Sequence, residues 1–295
     1  MKYQTVKFFL IFFSIVASKN TFAQLTDLAR LEYSYIPKSN SEDSFNRFRG
    51  LVNYPIKTSE DCYLIVGGEY SRIAFDIEDN YPFDTSNLNR LHVIDLNVGY
   101  TFKLKSGWRL GVKISPRIAS TLRHEITGDD FLINGGIYAI NDKTKSETIN
   151  KPYRLILGLT YNSTIGVPLP LPFISYYRRI NNQWSYNLGV PKTNVKYFFS
   201  EQSILQTFVG IDGYFANIQD GIVIEGGNQA ESISLSVVIA GLGYEYCLTN
   251  HLIWYAYTGY TINMNNRLRD ENREEVYKLD NVNAFYLRTG IKFKI

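Results

Sequence analysis

The stretch Asn283-Ala284-Phe285-Tyr286-Leu287-Arg288-Thr289-Gly290-Ile291-Lys292-Phe293-Lys294-Ile295 decides the fold. Read alternately, it separates into two sets. Leu287, Thr289, Ile291, Phe293 and Ile295 share one face, and Tyr286, Arg288, Gly290, Lys292 and Lys294 share the other. A strand sends successive side chains to opposite faces, so one face is apolar and the other cationic. In a soluble protein such a terminal strand is an unguarded edge. In a transmembrane barrel it is expected, because the last strand closes against the first and the apolar face meets lipid.

The other end of the chain fits export. Lys2 and Lys7 precede an apolar run from Phe8 to Ala17, which suits a signal-peptide core and is too short to cross a bilayer as a helix. Thr21-Phe22-Ala23 has small residues at its first and third positions, so cleavage is expected after Ala23. Gln24 follows, not Cys, so no lipid attachment is indicated there. The expected organisation is a signal peptide over 1–23 and one barrel domain over 24–295. Removing 1–23 takes away Lys2, Lys7 and Lys19; 31 less these three leaves 28 basic residues against 28 acidic ones. A mature chain without net charge does not point to nucleic acid.

The same alternation recurs along the chain. Leu31, Tyr33 and Tyr35 open it, and Phe48, Val52, Tyr54 and Ile56 follow. The clearest hairpin sets Ile94, Leu96, Val98, Tyr100, Phe102 and Leu104 on one face, turns at Lys105-Ser106-Gly107, and returns through Trp108, Leu110, Val112 and Ile114. Strands of this length, with short turns at one end and longer polar loops at the other, favour a barrel over a sandwich. The pattern predicts an all-β, antiparallel transmembrane barrel of about 14 strands, or about 12 if the pieces around Pro191 and Phe131 do not form. An even count leaves both termini on the periplasmic side, with the short turns there and the long loops outside. Irregularities are expected at three places. Phase is disturbed at Gly67-Gly68 and again after Gly241, which suggests bulges. Val167 to Pro172 carries three prolines and is expected to interrupt the sheet. Asn263 to Asn281 reads as the longest loop. Trp108, Trp184 and Trp254 each follow a short turn and form a candidate girdle at the lipid–water boundary.

Leu171-Pro172-Phe173-Ile174-Ser175-Tyr176-Tyr177-Arg178-Arg179-Ile180, with Trp184-Ser185-Tyr186-Asn187-Leu188-Gly189-Val190-Pro191-Lys192, resembles the middle of an uncharacterised (domain of unknown function) outer-membrane β-barrel family of Bacteroidota-type bacteria. The resemblance covers essentially the whole mature chain. It implies a barrel in the cell outer membrane and no activity or site.

If the apolar faces meet lipid, the inward set includes Arg47, Arg49, Asp95, Lys103, Arg109, Lys113, Arg117, Arg154, Arg288 and Lys292, together with Arg30, Lys196 and Lys294. Inward acids are fewer: Glu32, Asp95, Asp212 and Glu245. A basic wall attracts anions, so the expected role is a passive channel or binding barrel for small polar or anionic solutes. The same charges could instead pair and fill a closed barrel that acts through its loops. A lipid-modifying enzyme needs a nucleophile, a base and an orienting group. The histidines available are His92, His124 and His251, and no Gly-x-Ser-x-Gly is present. No catalytic residue and no cofactor is assigned. Cys62 and Cys247 lack metal-ligand spacing; they either pair in an oxidising space or stay free. The acidic loop groups Glu78-Asp79, Asp84, Gly128-Asp129-Asp130 and Asp270-Glu271 with Glu274-Glu275 lack calcium-loop spacing, so no metal site is assigned. Expected partners are outer-membrane lipid, lipopolysaccharide and the barrel assembly machinery, with no nucleic acid and no specific protein partner indicated.

Overall fold

The computed structural model describes residues 27–294 apart from 39–41, 145, 147–151, 164–165, 167, 225 and 280–281. The signal-peptide reading of 1–23 lies outside the described residues. The strands in chain order are β1 (Ala29–Ile36), β2 (Ser44–Lys57), β3 (Cys62–Asp76), β4 (Arg90–Lys103), β5 (Arg109–Ser120), β6 (Phe131–Asp142), β7 (Tyr153–Asn162) and β8 (Leu169–Arg179). They continue with β9 (Trp184–Val190), β10 (Lys192–Phe198), β11 (Ser203–Val223), β12 (Gln229–Cys247), β13 (Leu252–Arg269), β14 (Glu275–Lys278) and β15 (Phe285–Phe293). Each stave pairs antiparallel with the next.

The ends meet as the closing strand requires. Arg30 lies opposite Lys292, and Tyr33 opposite Thr289, so β15 pairs with β1 on one side. It pairs with β13 on the other, through Trp254 opposite Ile291. β14 pairs with β13 alone and is a loop strand, which leaves a closed barrel of 14 staves. Closure joins the last stave to the first and removes the open edge between them, which is what an apolar surround demands. The outward faces carry that apolar surround: Leu31, Val52, Leu96, Ile114, Leu159, Leu188, Leu242 and Leu287 are all exposed. On a soluble protein an apolar belt of this extent would be an association surface. On a barrel it is the lipid face.

The Gly67-Gly68 disturbance is not a bulge. The ladder from β2 through β3 to β4 runs without a shift, with Asn53 opposite Gly67 and Asn97 opposite Gly67 on the far side. Gly67 is glycine because a Cβ there would sit 2.4 Å from the Val52 carbonyl. The change after Gly241 is not a bulge in β12 either. Ile233, Leu235, Val237, Ile239 and Glu245 are all buried, so the inward phase is unbroken. What changes is the environment: the upper half of β12 turns apolar groups inward, and the lower half turns them to lipid. The register shift lies close by, between Val238 and Ile239, where β13 carries the extra residue. The prolines do not interrupt β8. Pro170 and Pro172 sit in it, opposite Tyr161 and Leu159 of β7. β9 reaches only as far as Val190 opposite Ile174, so the other side of β8 has no strand beside the prolines and no ladder donor is lost there. Asn263 to Asn281 is not all loop: β13 runs on to Arg269, and β14 folds back on it.

The long-loop end is closed from within. β11 alternates between exposed and buried from Ile204 to Val209, then is buried on both faces at Tyr214, Phe215 and Ala216. β12 does the same from Ser232 to Leu235. Past Gly210 β11 has no β10 partner and bends inward until Asn217 lies beside Ser120 of β5, a parallel contact in an otherwise antiparallel sheet, while β12 stays paired with β13 as far as Ser232 opposite Arg269. Tyr214 packs at 6.2 Å on Phe45 and at 6.0 Å on Phe75. Ile218, Ile233, Leu88 and Leu91 complete an apolar core inside the upper barrel. Removal of these side chains from water holds the hairpin across the lumen.

Candidate functional site

Below that core the inner wall carries charged side chains in pairs. Arg47 and Arg288, from β2 and β15, converge on Asp212 of β11 at 2.6 and 2.5 Å. Arg49 meets Glu69 at 2.7 Å, and Arg117 meets Asp95 at 2.8 Å. Tyr255 donates to Glu32 at 2.7 Å. Nearer the short-turn end, Glu245 accepts from Lys292 at 2.9 Å, Lys196 at 3.0 Å, Tyr257 at 2.8 Å and Gln206 at 3.1 Å. Each of these groups reaches the lumen because strand alternation sets it opposite the lipid-facing residues. Glu32, Asp95 and Glu245 are almost fully buried, and such carboxylates persist as charges only with partners of this kind.

Not every inward residue joins these pairs. Lys113 has the inward phase yet is exposed, so the lumen is open around it. The Arg154 guanidinium lies 5.6 Å from the Tyr177 ring. Lys103 and Arg109 stand at the short-turn rim, where Arg109 donates to the Asp61 carbonyl at 3.0 Å. Trp184 and Trp254 are exposed at the same end, and Trp108 is half-buried there. Trp184 packs against Tyr197 at 4.8 Å.

Between the paired charges and the apolar core is a cavity of about 270 Å³. Its wall includes five basic residues, Arg47, Arg49, Arg117, Lys192 and Arg288, and two acidic ones, Glu69 and Asp212. The sequence pattern missed Glu69 and Lys192. Glu69 was hidden by the bulge expected at Gly67-Gly68, although it shares its phase with Ser71. Lys192 reads as part of the break after Pro191, whereas it begins β10. Its ammonium lies 4.7 and 4.8 Å from the rings of Phe208 and Tyr257. Among the described residues no carboxylate forms an ion pair with it.

The roof of the cavity is pinned at its far end by Asp130. That carboxylate is fully buried, accepts from Asn217 and Gln219 at 2.8 Å each, and takes a backbone donor from Thr127 at 2.9 Å. Burial alone would raise its pKa; hydrogen bonds from Ser120, Asn217, Thr127 and Gln219 outweigh that and hold it below the usual carboxylate value.

The histidines are dispersed. His92 faces outward and shares a hydrogen bond of 2.9 Å with Tyr70. His124 meets Asp220 at 2.7 Å in the loops, and His251 lies by the Lys294 carbonyl at 3.0 Å. Cys62 and Cys247 are free. Among the described residues no group of three or more His, Cys, Asp or Glu side chains is placed to hold a metal.

The family model described as "Domain of unknown function (DUF6268)" matches residues 57–294, from the end of β2 to the end of the barrel. The chain belongs to this family. No curated protein matches it. Solved structures similar to this DUF6268 chain include the KdgM porin, with 8% identity over 90% of this chain and 99% of that one and a TM-score of 0.36. The COG4313 outer membrane channel from Pseudomonas putida F1 shows 11% identity over 95% and 100% of the two chains, with a TM-score of 0.42. The TodX deltaS2S3 mutant monoaromatic hydrocarbon channel shows 10% identity over 91% and 90%, with a TM-score of 0.43. These TM-scores are low, so the architecture of the DUF6268 barrel rests on its own strand ladder.

Proposed function

We propose that the protein is an outer-membrane barrel that takes small polar or anionic solutes into its lumen for passive passage. The observation that carries this is the cavity of about 270 Å³ whose wall holds five basic side chains against two acidic ones. A cationic wall in a confined space concentrates anions. The exposed apolar belt supports placement in a membrane, and a closed antiparallel barrel is the form that suits the outer membrane. The short turns then face the periplasm and the long loops the outside. No catalytic role is part of this reading.

The apolar core across the upper lumen favours a second reading, a closed barrel that acts through its surface loops. Single-channel recording in a planar bilayer under a salt gradient separates the two. The expected result is open steps with a reversal potential on the anion side. Silence from protein shown to be folded and inserted would overturn passage and leave the closed barrel.

A further inference from the structure

The outward face of β3 and β4 is apolar except at its upper end. From the short-turn side it presents Leu64, Val66 and Tyr70 on β3, and Tyr100, Val98, Leu96 and Ile94 on β4. Above them the same rows continue with Arg72 on β3 and with His92 and Arg90 on β4. The register sets Arg72 directly opposite His92, and Arg90 opposite Ala74. Arg72 and Arg90 are therefore diagonal neighbours on one face, roughly 7–8 Å apart at the backbone, a span that long side chains bridge. Both are exposed, and His92 beside them is half-buried.

Two observations point to a ligand here. The first is charge. The inward Arg47, Arg49, Arg117 and Arg288 each meet a carboxylate, and at the loop end Arg267 meets Glu275. Among the described residues no carboxylate forms an ion pair with Arg72 or Arg90. The acid that continues their row on β3, Asp76, lies 4.0 Å from Lys38, which also holds Glu78 at 2.6 Å. Two guanidinium groups side by side at the edge of a low-dielectric medium repel, and an anion between them turns that repulsion into attraction. The second observation is height. His92 stands ten residues above Phe102, which is close to the short-turn end of β4. At about 3.3 Å per residue and a tilt of about 40°, that is roughly 25 Å along the barrel axis, the height of the apolar band. The cluster thus sits at the upper lipid–water boundary. Phe48 lies beside it, opposite Arg72, and Ile94 lies beneath it; both are exposed.

We propose that Arg72, Arg90 and His92 hold a phosphate of an outer-leaflet glycolipid on the outside of the barrel. The planar guanidinium fork matches phosphate oxygens two at a time, and two such groups surround one phosphate. The Tyr70 hydroxyl lies 2.9 Å from His92 Nδ1; donating there, it leaves the ring proton on Nε2 as a further donor. The acyl chains of the same molecule lie along the apolar rows through Ile94 and Leu96, so the occupant is a lipid and not a free phosphate. This rests on placement of the barrel in the outer membrane with its long loops outside, and gives that placement a specific lipid contact. The site lies outside the wall and is independent of the cavity in the lumen.

The test uses the full mature barrel in dodecyl maltoside micelles, with folding verified by heat-modifiable gel mobility. Diphosphoryl lipid A is titrated, and native mass spectrometry counts the molecules retained. The expected result is one lipid A held per barrel, with binding at least tenfold weaker for the same lipid stripped of its phosphates. Arg72→Gln combined with Arg90→Gln is expected to weaken lipid A at least tenfold. Arg178→Gln, at an outward arginine of the short-turn end, is expected to leave it unchanged. Should the double variant fail to fold, Arg90→Gln alone and the comparison of the two lipids on the parent barrel decide the matter. Equal retention of the two lipids, or retention that ignores the arginine substitutions, overturns the site. Displacement of lipid A by an equal concentration of inorganic phosphate overturns the lipid as its occupant. Fractionation of cells reads the placement separately. A barrel in the outer membrane that retains no lipid A overturns the site alone; a barrel found elsewhere overturns the placement and the site together.

Discussion

Gln219 on β11 donates to Asp130 at 2.8 Å with both side chains buried, joining residues 89 apart in the sequence. Beside it Asn217 reaches the other oxygen of the same carboxylate. These contacts hold the tip of the β11–β12 hairpin against the β5–β6 connection, so the state of the lumen depends on them.

Asp130→Asn offers an amide where two amide donors need an acceptor. Leaving a buried donor unpaired costs about 1–3 kcal/mol. The expected outcome is faster amide exchange confined to 214–224 and more frequent open steps in a bilayer, with the barrel itself intact. Exchange that stays slow in that segment would show that the apolar core alone holds the hairpin.

Acid should act on the same carboxylate. Its pKa is depressed in the folded state, so its contribution is complete above the unfolded value of about 3.9 and is lost as pH falls through the folded value. Conductance is expected to stay flat from neutral pH to about pH 4 and to rise only below that. A rise between pH 5 and 7 would assign the change to another group.

Glu245→Gln removes the one carboxylate that Lys196 and Lys292 share. Breaking a buried pair by removing one partner costs about 3–5 kcal/mol, because a buried charge is left uncompensated. The variant is expected to convert from the folded to the unfolded gel form at a clearly lower temperature than the parent. Unchanged heat-modifiability would mean that water in the lumen solvates both lysines.

Gly290 carries a different constraint. A Cβ there would lie 2.7 Å from the Tyr255 hydroxyl, which donates to Glu32. Gly290→Ala is therefore expected to displace Tyr255 and slow barrel closure between β15 and β1. Refolding into vesicles, followed by gel mobility, measures it; Tyr255→Phe should be milder because it removes the hydroxyl and keeps the ring.

Trp184 and Trp254 are exposed at the short-turn end. Lipids brominated near the headgroup are expected to quench their fluorescence more than lipids brominated near the chain terminus. The opposite order would place these residues deep in the bilayer and contradict the girdle.

The 14 staves were legible in the sequence because lipid and lumen impose opposite polarity on alternate residues, and the Ile94 to Leu104 strand shows that rule without interruption. The pairing partners of Arg47, Arg117 and Lys292 were not. Alternation states which side a residue faces and says nothing of which distant strand brings Asp212, Asp95 or Glu245 to it. The rule also misled where its premise failed. In β12 the apolar set changes sides at Gly241, although the strand keeps its phase. An inward-turned Ile233 or Val237 is apolar because it packs on Leu88, Ile218 and their neighbours, not because it meets lipid. Thus local chemistry determined the class of fold and the strand count. The tertiary structure alone decided that β11 bends inward to meet β5 and that β8 continues through Pro170 and Pro172. Those features depend on contacts between strands far apart in the chain, and the period of a single strand does not encode them.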